Sequence, residues 1–65
     1  MDDFASLGAG IRSARKDAGL SQEDLAHLAG TSQRTIRAIE TGTGNPSLKA
    51  VVAAANVLGL HVAVR

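Results

Sequence analysis

The chain alternates between apolar stripes at helical spacing and short clusters of turn residues. Phe4, Leu7, Ile11, Ala14 and Ala18 recur three or four residues apart, which is the period of one helix face. This predicts a first helix over residues 3–18. Gly19 follows as the glycine that closes a helix in a left-handed conformation. Ser21 then reads as an N-cap with Asp24 at the third helical position, a start like a capping box. The second helix runs from Gln22 to about Ala29, with Leu25, Leu28 and Ala29 facing inward. Gly30 breaks it. Ser32 can cap a third helix, Gln33–Thr41, whose inner face is Ile36 and Ile39. Residues 42–46 are a cluster of turn formers. Ser47 caps a fourth helix with Leu48, Val51, Val52, Ala55 and Leu58 on one stripe, and Gly59 ends it. The last six residues, Leu60-His61-Val62-Ala63-Val64-Arg65, alternate with period two and are rich in Val, so they read as a strand.

At 65 residues this is a single domain, residues 1–65, with no internal repeat. A chain of that size buries roughly 60% of its unfolded surface and is marginal alone. It contains no Cys, so neither a disulfide nor a thiolate zinc site can staple it. Close helix packing and oligomerisation are the remaining routes to stability. Hydrophobic residues make up 45% of the chain, which excludes a disordered tail. The apolar runs are too short to span a membrane. The N-terminus is acidic, unlike a signal peptide. With no Cys and no export signal, the expected location is the cytoplasm. The formal net charge is only +1, but residues 1–30 carry −2 and residues 31–65 carry +3. A basic second half can meet phosphates.

Gln22 to Glu40 holds two short helices joined by a tight turn. Ala26 is small where a partner helix must come close, and Gly30 stands where the turn needs a left-handed residue. Ile36 and Ile39 follow as branched apolar positions. That order of small residue, turn glycine and branched apolar residues suits a helix-turn-helix unit, residues 21–41, sterically.

Four segments together carry a resemblance. They are Gly19-Leu20-Ser21-Gln22-Glu23-Asp24-Leu25-Ala26, Ala29-Gly30-Thr31-Ser32-Gln33-Arg34-Thr35-Ile36, Ile39-Glu40-Thr41-Gly42 and Asn45-Pro46-Ser47-Leu48. Over about residues 7–59 the chain resembles the phage repressor/Cro-type (XRE) helix-turn-helix family. The ending departs from that family's usual fifth helix and looks like the HipB-type antitoxin branch, whose last segment is a dimerising strand. The fold class implied is mainly α. It is a four-helix, lambda repressor-like helix-turn-helix domain, with a C-terminal β-strand pairing across a homodimer.

The resemblance also implies roles. Gln22 would contact phosphate, since its amide and the free N–H groups of a helix start can both donate to an anionic oxygen. Gln33 would be the main base reader, because glutamine can bond bidentately to adenine in the major groove. Arg34 and Arg37 would seek guanine or phosphate. Thr31, Ser32 and Thr35 place hydroxyls for backbone or thymine-methyl contacts. Ala38 stands where some relatives carry a polar reader and cannot hydrogen-bond through its side chain. Thr43 and Asn45 lie in a loop whose backbone often touches phosphate. Arg15 and Glu40 match a structural arginine–carboxylate pair that ties the first helix to the end of the recognition helix, for which a guanidinium fork is suited.

Other chemistry finds little support. His27 and His61, with no Cys and no carboxylate at ligand spacing, make no metal site. Gly8-Ala9-Gly10 and Gly42-Thr43-Gly44 lack the strand before and the Lys-Ser/Thr ending of phosphate loops. The serines have no His–carboxylate partner, and three are explained as caps. No enzyme activity and no cofactor are expected.

The expected function is a sequence-specific DNA-binding transcriptional regulator. It would be a repressor that binds a palindromic operator in the major groove as a homodimer, and also the antitoxin of a HipBA-like pair. The competing reading is an interaction module that mainly restrains a HipA-like kinase toxin. No long tail follows Arg65, so no separate toxin-wrapping segment is expected. The dimer would form through residues 60–65, because a lone edge strand cannot satisfy its own backbone groups. Leu60, Val62 and Val64 share one face and would pack against both fourth helices.

Overall fold

In this computed structural model residues 3–60 are described, with side chains from residue 5 onward. They form four helices: α1 (Asp3–Asp17), α2 (Gln22–Ala29), α3 (Gln33–Thr41) and α4 (Leu48–Val57). Ser21, Ser32 and Ser47 each precede a helix and accept from the backbone N–H three residues on. At Ser21 the box is complete. Ser21 Oγ accepts from the Asp24 N–H at 2.9 Å, and the Ser21 N–H donates to Asp24 Oδ2 at 3.0 Å. Three serines thus satisfy donors that a helix start leaves without partners.

All four helices close in the same way. The N–H groups of Leu20, Thr31, Thr43 and Leu60 reach back to the carbonyls of Arg15, Ala26, Ala38 and Ala55 at 2.9–3.1 Å. Each wraps around a glycine, and at Gly30, where φ is +70°, the tight turn between α2 and α3 depends on the missing side chain.

The core is Ile11, Leu25, Ala26, Ile36, Ile39, Val51 and Ala54, flanked by half-buried Leu7, Ala29, Ala50 and Leu58. α3 is the hub: α1 and α2 pack on it, and α4 packs mainly on α2. Two leucines expected on inner faces are exposed. Leu28 is 58% exposed and Leu48 is 65% exposed, while Ala54 is buried and Ala26 is buried at the close helix approach that its size suggests. The cause is size. Close crossings favour Ala, so α2 turns Ala26 inward and rotates Leu28 out. On α4 the buried stripe is centred on Val51, Ala54 and Ala55, with Leu48 and Val52 on its flank. α1 also ends at Asp17, leaving Ala18 exposed in the turn.

The expected strand over residues 60–65 is not supported at its first residue. Leu60 is in no strand, and its N–H closes α4 on the Ala55 carbonyl at 2.9 Å. A donor used in that way is lost to a ladder. His61, Val62, Ala63, Val64 and Arg65 lie outside the described residues. No helix among the described residues is long and apolar enough to cross a membrane.

Gly8 sits inside α1 where α1 crosses α3. A Cβ there would overlap the Ile39 carbonyl oxygen and lie 2.9 Å from the Glu40 carbonyl oxygen. Both are backbone atoms and cannot swing away. Gly10, one turn-face away, has nothing within 4 Å of the same added atom. Gly8→Ala should therefore destabilise by about 1–3 kcal/mol through overpacking. Gly10→Ala should stabilise by about 0.5–1 kcal/mol, since Ala is the better helix former. Thermal melts of the two variants moving in the same direction would refute this account of the crossing.

The capping box also sets a pH dependence. Hydrogen bonds from the Ser21 backbone and side chain hold the Asp24 carboxyl below its ordinary 3.8. A lowered folded-state pKa gives stability that is present above the unfolded value and lost as pH falls through the folded one. Asp24→Asn should flatten that loss below about pH 4. Urea melts at several acid pH values check it, and a parent-like acid dependence in Asp24→Asn would exclude Asp24 as its source.

Candidate nucleic-acid interface

α3 presents two chemically distinct faces. Ile36, Ile39 and Glu40 are buried, while Gln33, Arg34, Arg37 and Thr41 are exposed along the opposite side. Thr31, Thr35 and Ala38 are half-buried at its margins, and Ser32 is exposed at its start. Neither Arg34 nor Arg37 is in an ion pair among the described residues. Two guanidinium groups thus stand in solvent on one short helix, with no acidic residue in its first turn.

Several hydroxyls expected at this face are already engaged. Ser32 Oγ accepts from the Thr35 N–H at 3.1 Å and lies 3.0 Å from Thr35 Oγ1. Thr41 Oγ1 donates to the Arg37 carbonyl at 2.8 Å. Its 2.7 Å contact with Thr43 Oγ1 therefore takes its proton from Thr43. Thr41, which the sequence reading left without a role, links the last turn of α3 to the loop that follows. Thr43 and Asn45 are exposed in that loop. Gly44 takes a left-handed conformation with φ +67°, while an added Cβ would make only ordinary contact with the Ala38 Cβ at 3.6 Å.

The buried end of α3 is polar. Arg15 Nε donates to Glu40 Oε2 at 2.7 Å, and Arg15 Nη2 donates to Glu40 Oε1 at 3.1 Å. Arg15 is 8% exposed and Glu40 6%. The fork is bidentate, the geometry in which guanidinium and carboxylate pair most strongly. Hydrogen bonding to the Glu40 carboxylate is the main reason the Arg15 guanidinium is held above its ordinary value, so Arg15 stays charged. Its third nitrogen, Nη1, donates to the Leu20 carbonyl at 2.8 Å. Gln22 Nε2 donates to Glu40 Oε1 at 3.3 Å. No buried side-chain nitrogen or oxygen among the described residues is left without a partner. One carboxylate thus joins α1, the α1–α2 turn, the first residue of α2 and the last turn of α3.

The helix-turn-helix family model matches residues 11–64. The chain belongs to the XRE-type helix-turn-helix family of DNA-binding transcriptional regulators. It is 45% identical over 49 residues to an uncharacterized HTH-type transcriptional regulator of Methanothermobacter thermautotrophicus, covering 75% of this chain and 71% of the relative. It is 46% identical over 43 residues to the HTH-type transcriptional regulator MJ0272 of Methanocaldococcus jannaschii, covering 66% and 65%. Among solved structures it resembles the restriction-modification controller protein C.AhdI from Aeromonas hydrophila. The TM-score is 0.81 at 33% identity, over 94% of this chain and 92% of that one. In this helix-turn-helix unit α2 and α3 are the two helices, and α3 occupies the place of the recognition helix. Among the described residues no group of three or more His, Asp or Glu is placed to hold a metal ion.

Removing one member of the buried pair leaves the other without its partner in a site with little water. Glu40→Ala should cost about 1–4 kcal/mol. In a 65-residue domain that is a large share of the total stability. Chemical denaturation of parent and variant measures it, and coincident curves would exclude a structural role for the pair.

Proposed function

We propose that the chain is a cytoplasmic, non-catalytic repressor that binds a near-palindromic operator as a homodimer, reading bases with α3 in the major groove. The observation that carries this reading is the solvent face of α3, where Gln33, Arg34 and Arg37 are exposed and neither arginine is in an ion pair among the described residues. Such residues pair with adenine or guanine edges, or with phosphate. Gln22 at the start of α2 and the Thr43 and Asn45 loop would anchor the phosphate backbone, which positions a protein without specifying sequence.

The dimer rests on a separate argument. Val57 and Leu60 are exposed apolar residues at the closing end of α4, continuous with the alternating segment of residues 60–65. A second copy packed there across a two-fold axis would make a closed, self-complementary contact. It would set two α3 helices about 34 Å apart, the spacing of successive major grooves. The likeness to a controller protein over nearly the whole of both chains favours a free-standing regulator over the HipB-like antitoxin restraining a HipA-like kinase. The antitoxin reading draws only on the alternation of residues 60–65.

Selection of bound sites from random duplex DNA is the direct test, and recovery of no site would overturn the proposal. On the selected operator Gln33→Ala should cost about 1–3 kcal/mol and relax the preference at its base pair. Affinity should fall by about 0.9 log units per log unit of salt for each phosphate neutralised. Val62→Pro removes a backbone donor from the proposed pairing segment. Sedimentation equilibrium should show that variant as mostly monomer with weakened operator binding. A parent chain that stays monomeric and binds a half-site as tightly as a full operator would sink the dimer.

A further inference from the structure

The amide of Gln22 is engaged inside the domain. Its Nε2 donates to Glu40 Oε1 at 3.3 Å. A carboxylate oxygen only accepts, so the amide has one allowed orientation there, with nitrogen toward Glu40. One N–H is thereby used. The second N–H and Oε1 remain, on a side chain that is half-buried and reaches solvent. Glu40 also acts on Gln22 from behind. It fixes Arg15 through two hydrogen bonds, and Arg15 Nη1 holds the Leu20 carbonyl, two residues before Gln22. Both the backbone approach and the amide plane of Gln22 are thus set by one carboxylate.

We propose that Glu40 is a positioning residue for DNA binding, holding the Gln22 amide so that its free N–H is aimed at a backbone phosphate. This rests on the DNA-binding reading above. The physical gain is preorganisation. A glutamine side chain that must be immobilised on binding loses rotamer freedom, and one already held loses less. The carboxylate is required, because an amide at position 40 would offer only one acceptor oxygen to Arg15 and Gln22 together. It would also set its own N–H groups against those of its neighbours.

A double-mutant cycle tests this with a random-sequence DNA duplex of about 20 base pairs at low salt, where phosphate contacts dominate binding. Four chains are compared: the parent, Gln22→Ala, Glu40→Gln and the double variant, at a temperature where circular dichroism shows all of them folded. Glu40→Gln should weaken binding by about three- to tenfold in the parent, the range of one hydrogen bond. In the Gln22→Ala background it should weaken binding by less than about twofold. A purely structural role would give the same loss in both backgrounds, and that additive result overturns the proposal. If the parent itself binds no duplex, the DNA-binding reading fails and this inference falls with it. Should Glu40→Gln not fold, side-chain amide NMR of the parent decides. The Gln22 amide protons should lie away from the positions of a free glutamine and shift again as duplex is added. Free-glutamine positions without DNA, or no change with it, would refute the proposal.

Discussion

The buried polar side chains among the described residues, Arg15 and Glu40, meet at the Glu40 carboxylate. Two charges taken out of water carry a desolvation cost that their attraction only partly offsets. Here the cost is limited because both carboxylate oxygens accept and all three Arg15 nitrogens donate. What the pair supplies is position. An apolar pair of the same volume could slide or rotate, whereas a forked guanidinium on a carboxylate has one geometry. That geometry fixes where the last turn of α3 sits relative to α1 and to the start of α2.

The apolar packing is consistent with this. Ile36 and Ile39 project from α3 into a core shared with Ile11 of α1 and Leu25 of α2. Burying apolar surface is the main favourable term in folding, yet a small aliphatic core tolerates several arrangements of similar energy. The bare backbone of Gly8 narrows them further by letting α1 settle onto the carbonyls of Ile39 and Glu40. Apolar burial makes the fold favourable, and the ion pair and the glycine crossing select one arrangement of it.

Much of this was legible in the chain, for local reasons. Ser21, Ser32 and Ser47 mark helix starts because a hydroxyl at that position meets free N–H groups, and Gly19, Gly30, Gly42 and Gly59 mark ends because a left-handed residue is needed there. Side-chain direction was less legible where helices are rich in Ala. Ala54 gives a weak apolar signal although it is fully packed, and the larger Leu28 and Leu48 read as inner-face residues from the chain alone. Gly8 showed only a glycine inside a helix, since the carbonyls it meets lie about thirty residues away in the chain. The bond between Gln22 and Glu40 was hidden for the same reason. A glutamine at a helix start reads as solvent-facing until the neighbouring helix is in place. Residues 60–65 read as a strand from their alternation, their Val content and a HipB-like ending, and Leu60 shows how a helix closure can take the first donor of such a segment.

The close seat of α1 on α3 at Gly8 has a consequence for how base sequence is sensed. α3 is fixed at its last turn by the close approach of α1 to its carbonyls and by a forked ion pair. In the proposed complex, a duplex that does not present the matching shape would itself have to deform. The energy of that deformation varies with the stiffness of the base steps, including steps that no side chain touches. A firmly seated α3 in a 65-residue chain would thereby shift part of the discrimination in that complex onto the mechanics of the DNA.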